Sequence, residues 1–349
     1  MKYLFSLLFL LTSITLSAQE FIEPCKYGQA LLDVLQSEYT PNNPLGYGPG
    51  RDILYSEIDN NGLELSGIYT NFTVTLDPNE DPSVSAFQGG GGINAEHVFP
   101  QSLGAGDEPA KSDLHNIFPS RVDVNSARGS CPFGEIEDND TDIWFYLSSE
   151  LSSIPSSNID FYSEKDEEDC VFEPRESVKG NIARAVFYFY TIYRPNEGTS
   201  FFNLQKETLR AWHLADPVDE TETRRNNLIA AEQGNENPFI SDETLVQRAY
   251  FEADASFPEG NPNCVTTTIA EFNEVDWVSV SSNLVQNEVI IESTKIAGKV
   301  MVFDIHGRFV QEESLKSETR LEVGNLAEGI YVLYVQSEDL EAVLKFYKK

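Results

Sequence analysis

Residues 93–135, INAEHVFPQSLGAGDEPAKSDLHNIFPSRVDVNSARGSCPFGE, carry two of the chain's four histidines, His97 and His115, beside Glu96, Asp113, Asn125 and Arg128. A neutral imidazole near its ordinary pKa deprotonates water at neutral pH. Carboxylate and amide oxygens such as those of Glu96 and Asn125 are hard ligands suited to Mg²⁺, which keeps most of its waters and takes few protein groups. These residue types match the needs of phosphodiester hydrolysis: a water to deprotonate, a cation to stabilise charge growing on phosphate, and neutralisation of the leaving oxygen. His115 reads as a buried, hydrogen-bonded histidine that orients the site, and Asp113 as the cap of a turn.

Positioning these groups requires two strands and a helix. Ile93 to Phe99 reads as a strand, Asn116-Ile-Phe as a second strand returning after a loop, and a helix starting near Val122 would put Asn125 and Arg128 on one face. Neighbours on a regular strand point to opposite faces, so Glu96 and His97 predict a strand end, a bulge or strong twist. Upstream, a helix is expected from Glu20 to about Leu35, with Ala30, Leu31, Val34 and Leu35 on one face. Residues 38–92 are rich in Pro, Gly, Asn and Asp, with strand-like pieces at Ile68-Tyr69 and Phe72 to Leu76. The run Gly89 to Gly92 punctuates the chain and lacks the pattern of a phosphate loop. Downstream, the acidic, Ser-rich stretch 135–176 reads as a long exposed connection. Gly180 to Tyr190 reads as a buried helix ending before Pro195, and residues 201–215, 220–233 and 242–251 as further helices. From Trp277 to Lys349, short alternating runs separated by turn residues predict a small all-β sandwich, with the domain boundary near residue 270.

The 349 residues, 40% hydrophobic with 22 Phe and 15 Tyr, exclude wholesale disorder and allow two domains. Lys2, the apolar Leu4 to Leu16 and the small residues before Gln19 read as a secretory signal over residues 1–18, too short to span a bilayer. Export makes four cysteines, an even number, a disulfide framework. Of three pairings, the nested one is favoured: Cys25–Cys264 across the middle of the chain and Cys131–Cys170 closing an acidic loop. A net charge of −33 runs against binding a polyanion. Against that stand local cations at Arg184, Arg194, Lys206, Arg210, Arg224 and Arg225, of which Arg184, Arg224 and Arg225 are candidate substrate contacts.

The stretch resembles the endonuclease I family, secreted or periplasmic nucleases of the ββα-metal (His-Me finger) superfamily. AEHVFPQS, SDLHNIFPS, VNSARG with PFGE, GNIARAVFYFY and RRNNLIAAEQGNENPFI occur in the family's order over roughly residues 93–250. The resemblance implies an α+β nuclease domain over residues 19–270 and Mg²⁺-assisted cleavage of DNA, and of RNA, with low sequence preference and 5′-phosphate ends; Ca²⁺ and Mn²⁺ are alternative ions. It makes His97 the general base, places the metal on Glu96 and Asn125, and puts Arg128 near the scissile phosphate. Residues 271–349 resemble the sorting domains of type IX secretion cargo in VFDIHGRFV, LAEGIYVLYV and VLKFYKK. That implies a partner in the secretion machinery and a destination at the cell surface or in the medium, with no stable membrane insertion; a monomer is expected.

Two other classes compete. A zinc-dependent hydrolase would use His97 and His115, but HExxH or another compact three-ligand spacing is missing, as is any CxxC pair. A non-catalytic exported binding protein would suit the acidic surface, and the linked EH, DLHN and VNxxRG elements speak against it.

Overall fold

The computed structural model describes residues 21–252, 277–281, 284–304, 308–337 and 340–349. The expected signal sequence, Cys264 and the boundary near residue 270 lie outside the described residues. The described residues fall into two compact units, one over residues 27–252 with 21–22 and the other from residue 277 onward with Glu23–Lys26.

The larger unit opens with α1 (Gly28–Tyr39), which begins later than the sequence pattern suggested and buries Leu31 and Leu35. Next come α2 (Tyr47–Ile53), extended by a wider π turn over Leu54–Ile58, and a three-strand meander of β1 (Asn60–Asn61), β2 (Glu64–Ser66) and β3 (Thr73–Thr75). Ile68-Tyr69 is a turn instead of a strand, and it delivers the Tyr69 side chain to the core. The short helix α3 (Pro82–Phe87) has Pro at its start and Asp81 as its cap, the carboxylate accepting from the Ser83 and Val84 N–H groups. A Cβ at Gly92 would lie 2.1 Å from the Ala86 carbonyl oxygen, so only glycine lets the chain pass α3 into β4 (Ile93–His97). β5 (Ile117–Arg121) pairs antiparallel with β4 from Ile93↔Arg121 to His97↔Ile117, and α4 (Val122–Arg128) follows directly. This is the expected strand–strand–helix unit.

Residues 135–176 depart from the expected exposed connection. They form an antiparallel sheet, ordered β7-β6-β8-β9, from β6 (Ile143–Tyr146), β7 (Ser149–Leu151), β8 (Ser163–Asp166) and β9 (Val171–Glu173). Its acidic composition hides the three side chains that anchor it, since Trp144, Phe145 and Phe172 are buried. A Cys131–Cys170 disulfide staples the sheet to the segment after α4. The sheet also carries Tyr69, whose ring packs on Phe172 at 4.8 Å and whose carbonyl accepts from Ser163 Oγ at 2.7 Å.

The unit is completed by α5 (Lys179–Tyr193), α6 (Thr199–Ala215), α7 (Glu220–Gln233), α8 (Pro238–Ser241) and α9 (Thr244–Tyr250). Ile182 to Phe189 are buried without a break, which makes α5 the axis of the main core, with α1, α6, α8 and α9 packed on it or on one another. A helix apolar all round belongs in such a place.

The smaller unit is the expected sandwich. One sheet orders β10 (Val278–Val280), β12 (Glu288–Ser293) and β15 (Glu318–Glu322). The other orders β11 (Leu284–Val285), β17 (Leu340–Lys348), β16 (Gly329–Ser337), β13 (Lys299–Asp304) and β14 (Phe309–Ser314). Val289, Ile291 and Leu321 from the first share one core with Val300, Val302, Leu333, Val335 and Phe346 from the second.

Candidate active site

β4 is covered on both faces, and its pleat sorts the functional residues. Asn94 and Glu96 meet α4: Arg128 pairs with Glu96, and Asn125 Nδ2 donates to Asn94 Oδ1 at 2.8 Å and to the Ala95 carbonyl at 3.1 Å. His97 meets the start of α2, with its ring 5.6 Å from that of Tyr47. The strand ends at His97, as the adjacency of Glu96 and His97 required, while the β4–β5 ladder runs without a bulge. The two neighbours therefore keep separate partners.

Glu96 is only 2% exposed. Its Oε1 accepts from the Tyr69 hydroxyl at 2.7 Å and lies 3.0 Å from Arg128 Nη1. Burial pushes the Glu96 carboxyl up, against the opposing pull of Arg128 and Tyr69. Both contacts fall on Oε1, so Oε2 remains available. Asn125, half-buried on α4, commits its Nδ2 and leaves Oδ1. A desolvated carboxylate oxygen and an amide oxygen are a donor set that fits a hard divalent ion with several waters. No group of three His, Cys, Asp or Glu side chains suited to a metal occurs among the described residues, and His97 and His115 have no partner in common. The zinc arrangement therefore finds no ligand set there.

The His97 ring is held from both sides. Nε2 lies 2.8 Å from the Lys111 carbonyl, and Nδ1 lies 3.1 Å from Gln101 Nε2. A carbonyl oxygen can only accept, so Nε2 carries the proton and the Nδ1 lone pair is the basic one. Burial, with the charges of Lys111 and Arg128, holds the His97 pKa below its usual value, so the ring stays neutral at neutral pH.

Asp113 and His115 form a separate network behind the hairpin. Asp113 Oδ1 accepts from the His115 N–H and Gln233 Nε2, and Oδ2 from the hydroxyls of Tyr188 and Tyr193 at 2.7 and 2.8 Å. His115 Nε2 donates to the Asn235 carbonyl, and burial pushes its pKa down to about 4. Asn116, which sequence reasoning passed over, brackets Phe99 by accepting from its N–H at 2.7 Å and donating to its carbonyl at 3.1 Å. The DLHN segment thus holds the two strands in register.

The arginines are placed differently from expectation. Arg128, expected near the scissile phosphate, is 0% exposed. It donates to the carbonyls of His97, Val98 and Gly129 and pairs with Glu96, so it fixes the end of β4 and has no face to offer a phosphate. Arg184, a candidate substrate contact, is fully buried in a two-point pair with Glu222. Arg225 pairs with Asp59, donates to the Leu114 and Ile117 carbonyls and covers the Phe118 ring at 4.0 Å. Arg224 is exposed but donates to the Ile58 carbonyl. Arg128 and Arg225 tie α4 and α7 to the hairpin, and Arg184 ties α5 to α7. Ion pairing, invisible in a one-dimensional sequence, takes up Arg184, Arg194 and Arg225 of the expected basic cluster, and Arg210 lies 3.8 Å from Glu207, whereas Lys206 and Arg224 form no ion pair among the described residues.

Two cations outside the expected cluster gather on Tyr47, the ring beside His97. Arg51 and Lys111 both lie over the Tyr47 ring, at 5.2 and 5.3 Å from its centroid, and neither forms an ion pair among the described residues. The spacing Tyr47, Arg51, Tyr55 places one side chain per helical turn along α2 and its extension, a signal present in the sequence.

Residues 29–244 match the family model described as Endonuclease I, and residues 282–349 match that of the secretion system C-terminal sorting domain. The chain is 32% identical over 188 residues to an extracellular ribonuclease of Bacillus subtilis (strain 168), covering 49% of this chain and 58% of that protein. An extracellular ribonuclease of Bacillus amyloliquefaciens is 34% identical over 166 residues, 43% of this chain and 51% of its own length. A periplasmic deoxyribonuclease of Aeromonas hydrophila is 30% identical over 130 residues, 37% of this chain and 47% of its own. In each case the chain spans about half the length of the relative.

Proposed function

The chain belongs to the endonuclease I family, and from that premise we propose that it is an exported endonuclease that hydrolyses phosphodiester bonds in DNA and RNA. The observation that carries the reading is the His97 ring, neutral and fixed in one tautomer by the Lys111 carbonyl, at the end of the strand that also bears Glu96. His97 Nδ1 takes the proton of the attacking water. Its charge is then eased by the Nε2–H bond to Lys111, while Gln101 turns or yields. Glu96 and Asn125 would hold Mg²⁺, which supplies Lewis acidity to the phosphate and to the departing 3′ oxygen. Arg128 pulls the Glu96 carboxyl back against the effect of burial and aims it, and Lys111 supplies the cation beside the phosphate that the resemblance had given to Arg128. Contacts to phosphate without base-edge readout imply low sequence preference, and 5′-phosphate ends are expected. The sorting domain marks the chain for export and for handling by secretion machinery. No helix of the described residues is long and apolar enough to cross a membrane.

The test is digestion of supercoiled plasmid and of RNA by the full chain with Mg²⁺, Mn²⁺, Ca²⁺ or EDTA, alongside His97→Ala. Cleavage that needs both metal and His97 is expected. A fully active His97→Ala enzyme of unchanged fold would overturn the mechanism.

A further inference from the structure

Beside β4 lies a cavity of about 250 Å³ whose lining includes Arg51, Tyr55, Ser83, Phe87, Ile93 and Asn94. We propose that this cavity is a subsite for one unstacked nucleotide next to the cleaved bond, with its base against Phe87 and its phosphate on Arg51. The inference rests on the nuclease reading above and deepens it, because a pocket for a splayed base selects single-stranded or locally opened nucleic acid.

Two structural links tie the cavity to the candidate active site. Asn94 lines it and also accepts from Asn125, a proposed metal ligand. Arg51 lines it and sits one helical turn from Tyr47, the ring beside His97. The strand rises about 3.3 Å per residue and the helix about 1.5 Å. The stretch from His97 back to Ile93 and the stretch from Tyr47 to Tyr55 therefore both cover about 12–13 Å, which is one to two nucleotides of extended chain.

The lining suits a nucleotide in particular. Tyr55 is 0% exposed, yet its hydroxyl has no hydrogen-bond partner, and the Arg51 Nε is also buried without one. Unmade bonds of this kind are costly in a folded protein and uncommon. Both belong to side chains that line this cavity, so a ligand with polar edges would satisfy them once those side chains turn to meet it. Phe87, by contrast, is 44% exposed at the rim, where a flat apolar face is available for stacking. Ser83 Oγ already holds Arg51 Nη2 at 2.8 Å, which steadies the guanidinium. A cavity below the ~300–1,000 Å³ of drug-sized sites takes a single base rather than a duplex.

The experiment uses the full chain and a single-stranded oligonucleotide protected by phosphorothioates at every bond but one, with an abasic residue on either side of that bond in the comparison substrates. With Mg²⁺, wild type should cleave the intact oligonucleotide about tenfold more efficiently than one of the two abasic versions, the size of one stacking contact. Phe87→Ala should lose that tenfold on the intact substrate and lose nothing further on the abasic one. Tyr55→Phe should weaken KM while raising Tm, since it removes an unpartnered buried hydroxyl; a merely structural Tyr55 would leave KM unmoved. Indifference of wild type to both abasic positions, or a Phe87→Ala enzyme equal to wild type, overturns the subsite and leaves the nuclease reading standing. A wild-type chain that digests plasmid or RNA but not the intact oligonucleotide overturns the subsite alone, whereas one that digests none of the three with any divalent ion overturns the nuclease reading, and the subsite falls with it.

Discussion

Two antiparallel hairpins, β4–β5 and β16–β17, show how differently one chain can use burial. In β16, Tyr331, Leu333 and Val335 alternate with more exposed neighbours, so one face is apolar and buried and the other open. In β4–β5 all five residues of β5 are buried, and β4 buries Ile93, Glu96 and His97. Covering both faces of a hairpin leaves no solvent side to which charged groups can retreat. Holding Glu96 and Arg128 there carries a desolvation cost that apolar side chains would avoid, so the first hairpin gives up stability for placed charge and the second does not.

The contrast can be broken most decisively by mutation at the two hairpins. His97→Ala should lower kcat/KM by about 10²–10⁴-fold, the range for a lost general base, with a Tm close to wild type. Leu333→Ala should leave cleavage unchanged and destabilise the sandwich by about 2–5 kcal/mol, read as an earlier transition in calorimetry. If Leu333→Ala abolished activity, the division of labour between the hairpins would be wrong.

Next in size is Arg128→Met, which leaves the Glu96 carboxylate buried without its cation. A loss of about 3–5 kcal/mol in urea unfolding is expected, together with weaker Mg²⁺ binding because Glu96, already pushed up by burial, holds its proton. A stability equal to wild type would show that Arg128 does not compensate Glu96.

A smaller effect comes from pH. The folded-state pKa of His115 is lowered to about 4, below the ~6.5 of an unfolded chain. Between those values the unfolded chain binds a proton that the folded one refuses, so stability is present above pH 6.5 and falls as pH drops towards 4. The loss approaches about 3 kcal/mol. Melting temperatures of wild type and His115→Gln across this range should converge at acid pH. The lowered His97 pKa likewise moves the acid limb of kcat/KM below the usual histidine value.

The β-sandwich and α6 were legible because hydrophobic period reports burial directly, and α5 because its apolar run is unbroken. The order of β4, β5 and α4 was legible as well, and the family's linked motifs agreed with it. The sheet at 143–173 was not, because few apolar anchors carry it and a disulfide, Cys131–Cys170, supplies the rest. That pairing is one of three the cysteine count allows, and nothing in the acidic, Ser-rich composition between the two cysteines reports the sheet it closes. Roles of individual arginines were the least legible part. Arg128, Arg184 and Arg225 look like substrate cations in one dimension, and each is consumed by a carboxylate distant in sequence, as Glu222 is for Arg184. Arg51 and Lys111 carry no such partner, yet sit outside any cluster.

That pairing of most cations has a consequence for the surroundings in which the chain can work. A protein that grips nucleic acid through many phosphates displaces a counterion for each one, with a slope near −0.9 per phosphate in log affinity against log salt, and loses about 10³–10⁵ in affinity between 50 and 200 mM. If Arg51 and Lys111, the two cations over the Tyr47 ring, make the phosphate contacts, about two counterions are released, and the same rise in salt costs about tenfold. If the chain is the proposed nuclease, the expected trade is a looser hold on the polymer for cleavage that falls only about tenfold over that rise in salt.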